Sequence, residues 1–240
     1  MKNLKYLITV LLCLNLTMCV NGQFRKTVYG DKKVVKKDRT VEESFSGVRV
    51  STGIDVYLKQ GDRESISVEA DENLHEYIVT EIKNGVLNVY TDANIRSSEM
   101  KRVYVTMKEI SSLSTSSAGD LIGETPIKTG NLRLSASSAG DIRLEVYVKN
   151  INADVSSSGD ITLSGEADIV NADLSSAGDL NAFNLKVREA DISVSSAGDA
   201  DVYVTDRLTA RASSAGDVNY KGDPKYIDAH ASSAGGIHRK

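Results

Sequence analysis

Apolar and polar residues alternate with a period of two along most of this chain of 240 residues, the pattern of strands that bury one face. The alternation begins near Phe45. Val48, Val50 and Thr52 lie between polar neighbours, and after Gly53 the pattern resumes at Ile54, Val56 and Leu58. Gly61-Asp62 reads as a turn, Ile66, Val68 and Ala70 as a strand, and Glu72 to Tyr77 as one helical turn after Asp71. Ile78, Thr80 and Ile82 then approach Asn84-Gly85, followed by Leu87 and Val89. Asn-Gly between two β-rich runs predicts a hairpin, because both residues tolerate positive φ. Val103, Val105 and Met107 mark one more strand. Residues 45–112 are thus β-rich but aperiodic, and read as the irregular capping end of something more regular.

From Leu113 onward a period takes over. The phrase Ser-Ser-Ala-Gly-Asp, or a close variant, recurs seven times, with its glycines at 119, 140, 159, 178, 198, 216 and 235 and spacings of 21, 19, 19, 20, 18 and 19. Between copies the alternation holds: Ala153 and Val155 then Ile161 and Leu163, Ala172 and Leu174 then Leu180 and Ala182, Ile192 and Val194 then Ala200, Val202 and Val204. No helical pattern intervenes. A near-constant period of this length marks a solenoid, and strands without helices can repeat this way only by coiling so that equivalent strands stack in parallel. The expected fold is all-β, a right-handed parallel β-helix-like solenoid with rungs of about 19 residues. Seven turns stacked about 4.8 Å apart would give a regular part on the order of 30 Å long.

Each position of the phrase has an expected job. Gly119, Gly140, Gly159, Gly178, Gly198, Gly216 and Gly235 supply the positive φ or close approach of a sharp corner. The alanine is small because it stacks on its counterpart. The second serine, Ser117, Ser138, Ser157, Ser176, Ser196, Ser214 and Ser233, continues the inward parity of the preceding strand, so an internal ladder of hydroxyls is expected. The aspartate faces outward and caps the turn. Stacked rungs place Asp120, Asp141, Asp160, Asp179, Asp199 and Asp217 in one column, where unit charges about 5 Å apart repel by roughly 1 kcal/mol in water. Such a column could recruit Ca²⁺. A calcium repeat, however, would supply more than one carboxylate per turn within an enclosing loop. Solvent and local N–H donors are therefore expected to absorb the repulsion, and no metal or other cofactor is assigned.

Composition adds an address. Lys2 and Lys5 precede a short apolar run, Leu7 to Leu16, too short for a transmembrane helix and right for an export signal. Cleavage after Gly22 would leave Gln23 first; the alternative is a lipobox-like Leu16-Thr17-Met18-Cys19 with Cys19 acylated. Peripheral membrane association is expected only in the second case. Both cysteines, Cys13 and Cys19, lie within this segment, so with cleavage after Gly22 the exported chain has no disulfide to support it. Absent tryptophan and only three phenylalanines disfavour an aromatic-rich core. Residues 25–39 carry a net +5 and residues 40–240 a net −11. The basic stretch reads as a solvated leader; the sharper alternative is an electrostatic tether to anionic lipid or polysaccharide. With a single aromatic, Tyr29, in that stretch and an acidic bulk, no nucleic-acid partner is expected.

No catalytic constellation stands out. His75, His230 and His238 are dispersed, and the repeat serines have no histidine in register with them, which disfavours a hydrolytic triad. Asp168, Asp173, Asp191 and Asp201 read as solvated carboxylates on outer strand faces. The chain lacks a glycine loop that could cradle phosphate ahead of a helix.

Phe45-Ser46-Gly47-Val48-Arg49-Val50, Gly53-Ile54-Asp55-Val56-Tyr57-Leu58-Lys59-Gln60-Gly61, Asn84-Gly85-Val86-Leu87 and the Ser-Ser-Ala-Gly-Asp array together resemble the putative auto-transporter adhesin head domain, called the head GIN domain. The resemblance covers about residues 45–236. It implies an exported bacterial protein, of a kind common in the Bacteroidetes, with a right-handed β-helix-like fold and no catalytic residues to carry over. The expected organisation is a signal peptide (1–22), a basic leader (23–44), the solenoid domain (45–236, regular from 113) and a short tail (237–240). The expected role is a non-enzymatic module of the periplasm or the cell surface. Its partner would be a glycan, an envelope protein or another copy of itself. A polysaccharide-active enzyme on the same scaffold and a calcium-stabilised solenoid are the competing readings.

Overall fold

A computed structural model describes residues 25–240; the expected export signal and both cysteines lie outside the described residues. The chain runs through β1 (Thr27–Tyr29), β2 (Val34–Arg39), β3 (Gly47–Val50), β4 (Asp55–Gln60), β5 (Ser65–Asp71), a 3-10 turn (Glu72–Leu74), β6 (Ile78–Lys83), β7 (Val86–Thr91), β8 (Asn94–Ser97), β9 (Lys101–Met107), β10 (Ser112–Thr115) and β11 (Asp120–Gly123). Five long strands follow: β12 (Ile127–Ser137), β13 (Asp141–Ser156), β14 (Asp160–Leu174), β15 (Asp179–Val194) and β16 (Asp199–Ala212). The last rungs are β17 (Asp217–Lys221), β18 (Tyr226–Ala231) and β19 (Gly236–Arg239). From β10 onward neighbouring strands pair in parallel, rung on rung. The fold is a parallel β-solenoid of about seven turns with rungs of about 19 residues.

Each long strand covers two faces because its parity slips once. In β13 the inward residues are Ile142, Leu144, Val146 and Val148, then Ile151, Ala153 and Val155, with Lys149 and Asn150 between them. Two consecutive outward residues bend the chain there, and the second half again points its apolar side inward. Stacking sorts these residues into columns. Val56, Leu121, Ile142, Ile161, Leu180, Ala200 and Val218 form one, with no member more than 1% exposed. Thr115 interrupts another, between Val50 and Ala136; it is fully buried and its hydroxyl has no partner among the described residues.

The N-terminal part is layered out of chain order. β3 and β4 form a rung with a neighbour on each side: β10 and β11 on one, β7 and β9 on the other. The chain thus builds its second layer first, makes a detour to lay down the layer beneath it, and returns. Antiparallel strands then close that end. β6 pairs with β7 through the expected hairpin, where Asn84 (φ 53°) and Gly85 (φ 72°) form a two-residue turn. β5 pairs with β9, and β2 lies outside β5. Lysines and an arginine on that outer strand suit an edge that must not recruit further strands.

The basic leader is therefore not a solvated linker. Its residues form β1, which pairs with β8, and β2, which pairs with β5. Several of its cations have partners: Lys33 Nζ donates to Glu72 at 2.6 Å, Lys26 Nζ to the Tyr77 hydroxyl at 2.6 Å, and Lys36 sits 4.0 Å over the Tyr104 ring. Charge alone hid this, because cations on an edge strand look like cations in a tail. Asp71, fully buried, pins the arrangement. Its carboxylate accepts the amides of Lys32 at 3.0 Å, Glu99 at 3.0 Å and Met100 at 3.1 Å. Burial by itself raises its pKa, but the backbone N–H groups of Met100, Glu99, Lys32 and Asp71 itself outweigh burial and hold it below the ordinary value. The tail also differs from expectation: Gly236–Arg239 is strand β19, paired with β17.

Candidate functional site

The repeated phrase makes the corner between one long strand and the next. In every copy the second and third residues are left-handed: Ser117 and Ala118 have φ of 51° and 57°, Ser157 and Ser158 53° and 57°, Ser233 and Ala234 50° and 63°. The glycine amide donates to the first serine's carbonyl across the corner, as from Gly119 to Ser116 at 3.1 Å. Two consecutive left-handed residues with an i→i+3 bond have the φ signature of a type I′ turn. The interrung ladder continues around it. The third residue's amide donates forward to the next rung, Ala139 to Ser157 at 3.1 Å, while the aspartate's amide donates back, Asp160 to the Gly140 carbonyl at 3.2 Å.

This geometry revises the internal hydroxyl ladder. Ser117, Ser138, Ser157, Ser176, Ser196, Ser214 and Ser233 all lie exposed at the corner tip, because the left-handed turn breaks the strand parity that would have carried them inward. The repeat glycines occupy the buried position instead, only Gly235 on the last rung being half-exposed. None has positive φ. Close approach is what requires them: a Cβ on Gly159 would lie 2.6 Å from the Ala136 carbonyl carbon, and one on Gly178 2.7 Å from that of Val155.

An eighth corner escaped the sequence reading. Ser51-Thr52-Gly53-Ile54-Asp55 has the same shape, with Thr52 and Gly53 at φ 63° and 65° and the Gly53 amide donating to the Ser117 carbonyl at 3.1 Å. Here the buried position holds Ile54. The signal was the Ser…Asp spacing, masked because the glycine had moved by one place. Asp55 consequently extends the aspartate column, in register with Asp120, Asp141, Asp160, Asp179, Asp199 and Asp217. Burial, and next the neighbouring carboxylates, raise the pKa of Asp120, Asp160 and Asp199. Arg143 bridges Asp141 at 2.7 Å. The acids form a row rather than a cage, and no group of three or more metal-ligating side chains converges among the described residues.

The first serine of each phrase has the more suggestive position. Ser156, Ser175, Ser195, Ser213 and Ser232 edge a trough of about 690 Å³ that crosses the rungs on the face formed by the second halves of the strands. Beside them runs an outward column in strict register: Arg49, Ser114, Ser135, Asp154, Asp173, Ser193, Arg211 and His230. A smaller hollow with Arg49, Ser112 and Arg133 continues it past Ser135. Hydroxyls and two carboxylates thus occupy the middle and cations both ends.

His75 and His230 have different settings. His75 is buried, its Nε2 bonded to the Val35 carbonyl at 3.1 Å, and burial lowers its pKa. His230, contrary to the sequence reading, does stand in register beside the serine row. It meets Asp228 at 2.9 Å, both groups being largely exposed, and no serine hydroxyl bonds to it among the described residues. Asp173 lines the trough, Asp191 bridges Arg211 at 3.4 Å, Asp201 accepts from Asn219 at 2.9 Å, and Asp168 lies at the strand bend. Sequence reasoning treated these acids as solvated singles and missed Arg49, Arg133 and Arg211.

Solved structures with this architecture are known. A putative adhesin from Bacteroides fragilis matches with a TM-score of 0.81 at 22% identity, over 89% of this chain and 100% of that one. A putative lipid binding protein from Parabacteroides distasonis matches at 0.71 and 24%, over 90% and 100%. A putative adhesin from Parabacteroides merdae matches at 0.71 and 21%, over 90% and 99%. At these identities the likeness is one of fold. No curated protein matches the sequence. The family model described as "Putative auto-transporter adhesin, head GIN domain" matches residues 44–224, and with that match and the corner array in place, the chain belongs to this family.

Proposed function

We propose that the protein is an exported, non-enzymatic binding module of the cell envelope, adhesin-like in role, which holds an extended polar ligand in the serine-edged trough. The observation that carries this reading is the trough's continuity. Ser156, Ser175, Ser195, Ser213 and Ser232 recur at one place on successive rungs, so a linear ligand laid along the axis meets the same hydroxyl about every 4.8 Å. Asp154 and Asp173 would accept hydrogen bonds from hydroxyl or amino groups, and Arg211 would pair an acidic end group. A glycan offers such groups at regular spacing.

Rigidity supports the same reading. Corner and strand amides are bonded between rungs, so the surface is organised before binding and little ordering cost falls on the protein. The family description and the neighbours described as adhesins agree with a surface location. The test is a glycan array probed with the purified full chain, followed by the same array with Ser175→Tyr, which fills the trough. Selective glycan binding lost in the variant supports the proposal; an empty array with a folded protein argues against it.

A further inference from the structure

At the opposite end of each rung, where the long strands bend, lies a second trough of about 730 Å³. Two outward columns flank it. Lys128, Tyr147, Glu166 and Lys186 are in register on successive rungs. Lys149, Asp168 and Arg188 lie at the bend itself and line the same hollow. Lys128 and Lys186 are three rung steps apart, about 14 Å along the axis. Tyr147 lies between them, 42% exposed, its hydroxyl donating to Glu145 at 3.0 Å.

We infer that this trough binds an acidic glycan, with Tyr147 as its platform and Lys128, Lys149 and Lys186 as its anion contacts. Three observations converge. First, charge is locally inverted. Four cations against two carboxylates line the trough; Arg188 is paired with Glu189, and the three lysines remain on a chain whose residues 40–240 carry −11, so an anionic ligand is drawn to them against the general field. Second, the lysines are uncommitted. Among the described residues the Nζ atoms of Lys128, Lys149 and Lys186 form no ion pair, whereas Lys33, Lys59, Lys83 and Lys225 each do. Third, Gly130 keeps one end open where the fold does not demand a glycine: its φ is not positive and a Cβ there would meet nothing within 4 Å.

An exposed tyrosine offers a sugar ring an apolar face and a polar tip. The surrounding ammonium groups meet carboxylate or sulfate as point charges, which tolerates variation in the acid. Glu145, Glu166 and Asp168 lie among the lysines; they would repel a continuous anionic membrane surface, but they can accept hydroxyl groups between the acids of a glycan. This site extends the binding reading to a second location and is independent of the serine-edged trough.

The experiment is titration of the full chain with oligogalacturonate and, separately, with sulfated dextran oligomers. Neutral dextran and phosphatidylglycerol vesicles serve as controls, at low and high salt. At least one acidic glycan should bind, more weakly as salt rises. K149E/K186E should weaken that binding by about tenfold or more. Tyr147→Ala should also weaken it, Tyr147→Phe should not, and melting temperatures should stay within a few degrees. Ser175→Tyr should leave it unchanged, which separates this site from the other trough. Binding of neither acidic glycan, equal binding of neutral dextran, preference for the vesicles, or indifference to K149E/K186E would each overturn the inference.

Discussion

Gly159 passes so close to Ala136 on the rung before it that a β-carbon would sit 2.6 Å from the Ala136 carbonyl carbon. The left-handed residue one rung back, Ala139 at φ 58°, is not a glycine at all. The corner thus uses glycine for contact and accepts the strain of left-handed serine and alanine. Gly159→Ala should cost about 1–3 kcal/mol through overpacking. Ala139→Gly should change stability by less than about 1 kcal/mol, because relief of the left-handed strain offsets the added freedom of the unfolded chain. Urea denaturation of the two variants measures both; the reverse order would refute this division of labour.

The aspartate column works against the fold at neutral pH. Burial and neighbouring carboxylates raise the pKa of Asp120, Asp160 and Asp199. A carboxyl whose folded pKa is raised destabilises the fold when ionised, and that cost disappears as the pH falls through the raised value. Asp160→Asn should therefore raise the melting temperature at pH 7, by no more than about 1 kcal/mol of stability after screening. The gain should shrink in high salt and vanish in acid. A gain that persists in acid would mean that the effect is not electrostatic.

Asp71 has the opposite sign. Its folded pKa is lowered by amides from Lys32, Glu99 and Met100, so its contribution is present above the ordinary aspartate pKa and is lost as the pH falls through the depressed value. Acidification should first stabilise the protein, as the column protonates, and then destabilise it as Asp71 does. Asp71→Asn leaves one acceptor oxygen for several donors and should cost roughly 2 kcal/mol or more. Hydrogen exchange at Lys32, Glu99 and Met100 should accelerate with it. Unchanged exchange at those amides would show that Asp71 does not hold the leader.

Thr115 stands in an inward column with a hydroxyl that has no partner among the described residues. Thr115→Val should stabilise the protein by about 1 kcal/mol, since an unpaired buried hydroxyl costs more than the methyl that replaces it. Thermal melting decides the sign.

The period-two alternation and the recurring phrase carry the solenoid in the sequence itself, and Asn84-Gly85 carries its hairpin. What stayed hidden depended on rung-to-rung register. Strand parity places the second serine inward only if it is carried through the corner, and the left-handed turn there reverses it. The Ser51–Asp55 corner was missed because Gly53 takes the left-handed place and Ile54 the buried one. Charge does not distinguish β2, an edge strand on β5, from a solvated tail. For the candidate site, the serines are visible in the sequence, but that the first of each pair edges a trough depends on the left-handed turn that follows it. Arg49, Arg211 and His230 fall into one column only after rungs of unequal length and the irregular pairing around Phe183 are aligned.

The most direct test is the affinity of the full chain for the array glycan that binds best among those whose binding K149E/K186E leaves intact, measured for the wild type and Ser175→Tyr with melting curves in parallel. The account predicts that Ser175→Tyr abolishes this binding while the melting temperature stays within a few degrees of wild type. Undiminished binding with the trough filled would contradict it.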